Sequence, residues 1–351
     1  MRTAALGRTG LDVPVVGFGC APLGNLYEQV PEAQARAALE AAWDGGLRYY
    51  DTAPYYGLGL SERRVGAFLR GVPREEVVLQ TKVGRLLRPR RGEPVHHPHG
   101  FAVPGDVDPV WDFSAEGVRR SLSESLERLG VDRVDVVLVH DPDEFEDEAR
   151  RGALPELLRL REEGVVRAVG VGMNQAAMPT RFLAEFDLDV VLLAGRYNLV
   201  EQGALDDLLP AAQRAGAAVV LGGVFGSGLL AADAPAPGAT YSYAPAPPDV
   251  LARAQRLAAL AAAHGVPLPA VAVQAVLAHP AVAAVLLGMR SEQEVRADVA
   301  LPDVPVPAAL WAALRAEGLV RADAPLPGEP LPGEPLPGEL LPGEPLPGEP
   351  R

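Results

Sequence analysis

The sequence predicts an α/β chain folded as a (β/α)8 TIM barrel, with long loops after strands three and seven and a disordered Pro-rich C-terminal tail. Three observations carry this expectation. Short apolar runs rich in Val and Leu recur eight times. An amphipathic stretch follows each of them. No Gly-x-Gly-x-x-Gly opens the helix after an early run; the nearest approach, Gly17-Phe18-Gly19-Cys20-Ala21-Pro22, places Pro22 where that fingerprint needs a glycine. Regular alternation therefore favours a closed barrel over an open doubly wound sheet.

Strands are expected at 13–19, 49–53, 77–83, 134–140, 168–173, 190–195, 217–223 and 283–289. Each is short and mostly apolar, as a strand buried on both faces should be. Helices are expected at 31–44, 61–69, 115–129, 153–163, 175–185, 203–215, 249–264 with 268–278, and 291–299. Ser61 with Glu62 favours a helix start, and Gly130, Gly164, Gly216 and Gly265 stand where helices should stop. Two connections are long, 84–114 and 225–248. Both leave C-terminal strand ends, where barrel sites are assembled, so both read as lids or walls. His96, His97 and His99 lie in the first. Pro98 and the loop setting give them no fixed ligand geometry, so no metal is expected.

Residues 1–324 read as the barrel and 325–351 as a tail of Pro-Leu-Pro-Gly-Glu repeats. The repeat has no aromatic or β-branched residue, so nothing beyond 324 is expected to join a core. The formal charge of −14 disfavours nucleic acid and anionic membrane surfaces as partners. Cys20 is the single cysteine, which rules out an intramolecular disulfide and fits a cytoplasmic address. No apolar run approaches the roughly 18–20 residues of a membrane span, and residues 1–7 hold no signal-peptide stretch. The oligomeric state is not legible.

Of 32 basic residues only Lys82 is a lysine. Where charge alone matters Arg would serve, so a lone Lys marks a position that needs a compact ammonium. Polar residues at C-terminal strand ends read as catalytic in a barrel. Asp51 ends strand two, Lys82 strand three and His140 strand four, and Tyr56 follows Asp51 by five residues. A carboxylate holding an ammonium beside a phenol favours the phenolate, which suits proton transfer. His140 can orient a carbonyl or hydroxyl. Trp111 and Phe113 are expected at the substrate mouth, since sugar rings pack well on aromatics.

These segments resemble the aldo-keto reductase superfamily. Its signature joins Asp-Thr-Ala-x-x-Tyr-Gly ending in Ser-Glu, a Lys after strand three and a His after strand four; Asp51, Tyr56, Lys82 and His140 match it. Within it the chain resembles the aldose 1-dehydrogenase branch, on the segments 82–87, 111–114, 139–143, 170–175 and 222–230. The resemblance implies reversible hydride transfer at a carbonyl or carbinol carbon, with an aldose leaving as its lactone. A pyridoxal or general aldehyde oxidoreductase is the alternative, and a cofactor-sensing regulatory subunit is the alternative of another class. The expected partner is a small aldose or aldehyde.

The resemblance also implies NAD or NADP as cofactor. Asn174 matches the family residue that holds the nicotinamide carboxamide, and Ser227 and Leu229 match the segment around the pyrophosphate. Gly288, Arg290, Glu294 and Asp298 match the adenosine end. The family's strand-six Gln falls on Ala194 and its stacking Tyr on Gly222, leaving Tyr197 or Phe225 to cover the ring. Glu294 stands where it would repel a 2′-phosphate, so NAD is favoured.

Overall fold

The computed structural model describes residues 1–92, 100–242 and 244–329. Eight parallel strands close into a barrel in chain order: β1 (Val16–Gly19), β2 (Tyr49–Asp51), β3 (Val78–Val83), β4 (Val136–His140), β5 (Ala168–Met173), β6 (Val190–Ala194), β7 (Ala218–Gly222) and β8 (Val282–Gly288). Each falls on one of the expected runs. The first run is divided, however. Asp12–Pro14 pairs with Thr3–Ala5 as an antiparallel hairpin, and only Val16–Gly19 joins the barrel. Pro14 lacks an N–H and cannot extend a ladder on both sides.

Side chains alternate, so one face of every strand fills the barrel. Tyr49, Val136, Leu138, Leu192, Val220, Ala284 and Leu286 form this inner core. Leu6, Leu11 and Val13 of the N-terminal hairpin join it and close the end opposite the strand C-termini. The outward faces pack beneath helices α1 (Glu32–Asp44), α2 (Leu60–Leu69), α3 (Ala115–Leu129), α4 (Leu154–Glu162), α5 (Ala177–Glu185), α6 (Leu208–Ala215), α7 (Pro248–Ala263), α8 (Leu268–Leu277) and α9 (Glu292–Ala300). Ser114 and Ser291 cap α3 and α9 by accepting from Gly117 and Glu294 amides. Among the described residues no single helix is long and apolar enough to cross a membrane.

Register places the polar residues. Asp51 is level with Gln80, Lys82 with Leu138, and His140 with Gly172. Gln80 and Lys82 share a face, as do Leu138 and His140. Asp51, Lys82 and His140 therefore climb the inner wall, two residues higher on each successive strand, as barrel stagger requires.

The long connection after β3 is partly ordered as a hairpin, Arg85–Pro89 against Val107–Trp111. Its prolines hide the alternation in the sequence. Helix α4 is entered through a π turn at Ala149–Ala153, where Gly152 lies so close to the Phe113 carbonyl that a Cβ would clash. A tenth helix, α10 (Ala308–Ala316), was not expected.

The chain just beyond 324 packs on the barrel. Leu326 is 2% exposed and joins the outer core, seated beside Tyr197, Leu199 and Val276. Glu329 pairs with Arg315 at 2.5 Å. The first repeat is thus part of the packed body, because one leucine between prolines is enough to fill a small cleft. Residues 330–351 lie outside the described residues.

Truncation before Pro325 should therefore destabilise the chain relative to truncation after Glu329. Loss of a buried leucine costs about 2–5 kcal/mol. Leu326→Ala in the full chain should reproduce most of the difference in denaturant midpoint; equal midpoints for both truncated chains would contradict the docking.

Candidate active site

A cavity of about 520 Å³ opens at the C-terminal ends of the strands, and Tyr56, Lys82 and His140 line it. The chain reaches it from β2 through a tight turn. Gly57, Leu58 and Gly59 all have positive φ, which returns the backbone toward the barrel. Gly57 and Gly24 touch so closely that a Cβ on either would clash with the other's backbone. This contact locks the Tyr56 segment against the loop after β1. Ser61 and Glu62 are fully buried at the start of α2. Ser61 Oγ donates to the Cys20 carbonyl at 2.8 Å, and Glu62 accepts from Thr81 at 2.9 Å and from Arg128 at 2.5 Å. The pair expected to start a helix also fastens that helix to three barrel elements.

Lys82 is 1% exposed. Its Nζ donates toward Asp51 Oδ1 at 2.7 Å and Oδ2 at 2.9 Å, the Thr52 carbonyl at 3.0 Å and Tyr56 Oη at 2.9 Å. Gln80 Nε2 donates to Asp51 Oδ1 at 2.7 Å, and Tyr49 Oη donates to Gln80 Oε1 at 2.6 Å. A buried relay thus runs Tyr49–Gln80–Asp51–Lys82–Tyr56. Of its members Lys82 and Tyr56 line the cavity. Such an arrangement can hold or release a proton at Tyr56 Oη beside a fixed positive charge.

His140 stands edge-on to Tyr56, with ring centroids 5.8 Å apart at 90°. Burial, with Arg85 and Lys82 nearby, holds its imidazole well below the ordinary range, so the ring is neutral at physiological pH. A neutral imidazole can donate one N–H to a reacting oxygen without competing for the proton. His140 Nε2 lies 3.4 Å from Asp141 Oδ2, and Arg85 Nη2 donates to that same oxygen at 2.7 Å. Burial raises the Asp141 carboxyl above its usual value.

The structure brings all four expected polar residues together. The others are more scattered. Asn174 is exposed at the end of β5 and lines the cavity, with Met173 and Ala194 beside it. A Cβ on Gly222 would meet Ala194 at ordinary contact distance, so the wall between β6 and β7 is small-sided. Ser227 has φ 59° in the turn after β7, where its carbonyl accepts from Thr240 at 2.8 Å; Leu229 is buried below. Gly288 ends β8 exposed. The Arg290 amide donates to Glu294 Oε2 at 2.7 Å, and the Arg290 guanidinium pairs with Glu28 and lies 3.5 Å from Glu294. Burial, then Glu294, pushes the Asp298 carboxyl up to about 7. Small side chains at the strand ends, the Asn174 amide at the cavity wall and a capped helix N-terminus beyond fit a nicotinamide dinucleotide.

Phe113 does not line the cavity. It is 3% exposed, packed on Gly84 and Phe145, and serves as core. Trp111 is 42% exposed on the rim, stacked on Phe145 at 6.2 Å, and is not a lining residue of the cavity. Tyr197 is buried against His279 and does not line the cavity either. The three loop histidines lie outside the described residues. Sequence reasoning passed over Arg85, Tyr55 and Asp141, all of which line the cavity. Their signal was position: each directly follows, or lies within three residues of, an expected site residue.

Residues 15–316 match the aldo/keto reductase family. The chain is 44% identical to D-threo-aldose 1-dehydrogenase of Pseudomonas sp over 312 residues, covering 88% of this chain and 95% of that one. It is 42% identical to pyridoxal 4-dehydrogenase of Microbacterium luteolum over 326 residues, covering 88% and 94%. Its fold is similar to that of an aldo-keto reductase from Bacillus halodurans in the holo form, with TM-score 0.72, 26% identity and coverage of 92% and 97%.

Proposed function

The chain belongs to the aldo/keto reductase family, and we propose that it oxidises an aldose of the L-fucose or D-threo type to its lactone, with NAD favoured. It is an NAD(P)-dependent oxidoreductase. The observation that carries the proposal is the buried Lys82 Nζ, bonded at once to Asp51 and to Tyr56 Oη at the cavity wall. A relative named for aldose 1-dehydrogenase activity supports the substrate class.

When bound, the nicotinamide accepts the hydride in oxidation and donates it in reduction. Asn174 would hold its carboxamide, Ser227 and Leu229 the pyrophosphate, and Gly288, Arg290, Glu294 and Asp298 the adenosine end. Tyr56 as phenolate takes the proton from the lactol hydroxyl; in the reverse direction it returns that proton. Lys82 stabilises the phenolate, and Asp51 with Gln80 fixes Lys82. His140, neutral, donates to the reacting oxygen and orients it. An aromatic wall of Tyr27, Tyr55 and Phe101 favours a second reading, a pyridoxal-type or general aldehyde.

Tyr56→Phe removes one oxygen. Its kcat for an aldose should fall by about 10²–10⁴-fold, the share of general acid–base catalysis, while nucleotide binding measured by fluorescence stays within about twofold. A variant that keeps a tenth of the wild-type rate would sink the role given to Tyr56. The panel should include aldoses, pyridoxal and aromatic aldehydes, and the aldose reading requires the aldoses to show the highest kcat/KM.

NAD preference rests on charge. Arg290 is shared by Glu28 and Glu294, so two carboxylates surround one guanidinium and leave the adenosine end net negative. That arrangement repels a 2′-phosphate. Glu294→Gln should shift the kcat/KM ratio toward NADP by about 1–2 kcal/mol, or roughly 5–30-fold. An unchanged ratio, or a wild type preferring NADP more than about tenfold, would contradict it.

A further inference from the structure

Arg85 is not used by the chemistry above, yet it is built into the cavity wall. It is 7% exposed and lines the cavity together with Asp141 and Tyr55. Its guanidinium carbon lies 4.2 Å from the Tyr55 ring centroid and 5.6 Å from that of Trp111. Two aromatic faces therefore limit how far the fork can swing. One arm, Nη2, donates to Asp141 Oδ2 at 2.7 Å. Nε is buried with no hydrogen-bond partner among the described residues. A buried donor of this kind is costly to leave unpaired.

Asp141 is held with equal deliberation. Its φ is 42°, a left-handed conformation unusual for a residue with a side chain, and its amide donates to the Gly172 carbonyl at 3.0 Å. The conformation sets its carboxylate between Arg85 and His140. A donor fork and an acceptor thus stand side by side, next to the imidazole that faces the reacting oxygen.

We propose that Arg85 and Asp141 form a subsite for two adjacent hydroxyls of the substrate. One hydroxyl donates to the Asp141 carboxylate, and its neighbour accepts from the Arg85 guanidinium. The C–H face of the same sugar packs on the aromatic wall. Arg85 is already neutralised by Asp141, so the subsite takes a neutral vicinal diol and not an anionic group. It selects polyhydroxy aldoses over apolar aldehydes, because an apolar ligand would cover these polar groups without pairing them. The inference rests on the aldose reading above and deepens it.

The test is a cycle between substrate and protein. kcat/KM is measured for an aldose and for its 2-deoxy and 3-deoxy analogues, in wild type, Arg85→Met and Arg85→Lys. In wild type, removing a paired hydroxyl should cost about 100-fold or more. In Arg85→Met, removal of the hydroxyl that accepts from Arg85 should cost no more than about threefold, since its partner is gone, whereas removal of the hydroxyl that donates to Asp141 should remain costly. Arg85→Lys keeps the charge beside Asp141 but loses the planar fork, and should fall between the two. A wild type indifferent to both deoxy analogues would overturn the subsite without any variant having to fold. Equal losses on the aldose and its analogues in the Arg85 variants would overturn it as well, as would a wild type that prefers uronates to neutral aldoses. A wild type that reduces aldehydes through Tyr56 but oxidises no aldose would instead overturn the aldose reading, and the subsite with it.

Discussion

A charged amine inside a barrel is the constraint that the rest of this site answers to. Lys82 is taken out of water almost completely, and an isolated ammonium in such a place would lose its proton or unfold its surroundings. It is kept by Asp51, a carbonyl and a phenol, and Asp51 is kept in turn by Gln80, which Tyr49 holds. Removing one member of a buried pair typically costs about 3–5 kcal/mol, since the survivor is left uncompensated. The arrangement is therefore not there for stability. An apolar rung would pack the barrel as well. What the ion pair gives is a fixed positive charge at Tyr56 Oη, in a place where solvent cannot weaken it.

The barrel and its loops divide the labour of holding that charge. Strand stagger sets Asp51, Lys82 and His140 at successive heights on the inner wall. Tyr56 is not on a strand. It comes over Lys82 from a turn of positive-φ residues that is pressed glycine to glycine against the loop after β1. The same loop region sends Glu28 across to Arg290, so the phenol side of the rim and the loop after β8 are tied to one segment.

The barrel was legible because its strands are short, apolar and separated by amphipathic helices, and each of the eight overlaps an expected run. The four polar residues were legible because each ends a strand or follows one closely, and because a single lysine stands out among arginines. Other parts were hidden for physical reasons. The hairpins carry prolines that break alternation. Phe113 looks the same in sequence whether it faces a ligand or plugs the space over Gly84. Leu326 sits in a repeat whose composition says extended chain, and only the cleft beside Val276 makes it core. Arg85 was one arginine among many; its burial between two aromatic rings is a tertiary fact.

The central claim is that the Lys82 charge governs ionisation of Tyr56. The most direct measurement is the pH–rate profile for aldose oxidation in wild type and in Lys82→Met, with far-UV circular dichroism confirming the fold of each. Oxidation needs the phenolate, so the rate rises with pH through one ionisation. Without the ammonium the phenolate loses its counter-charge, and the rising limb should move up by about one pH unit or more. A limb at the same pH in both proteins would contradict the account.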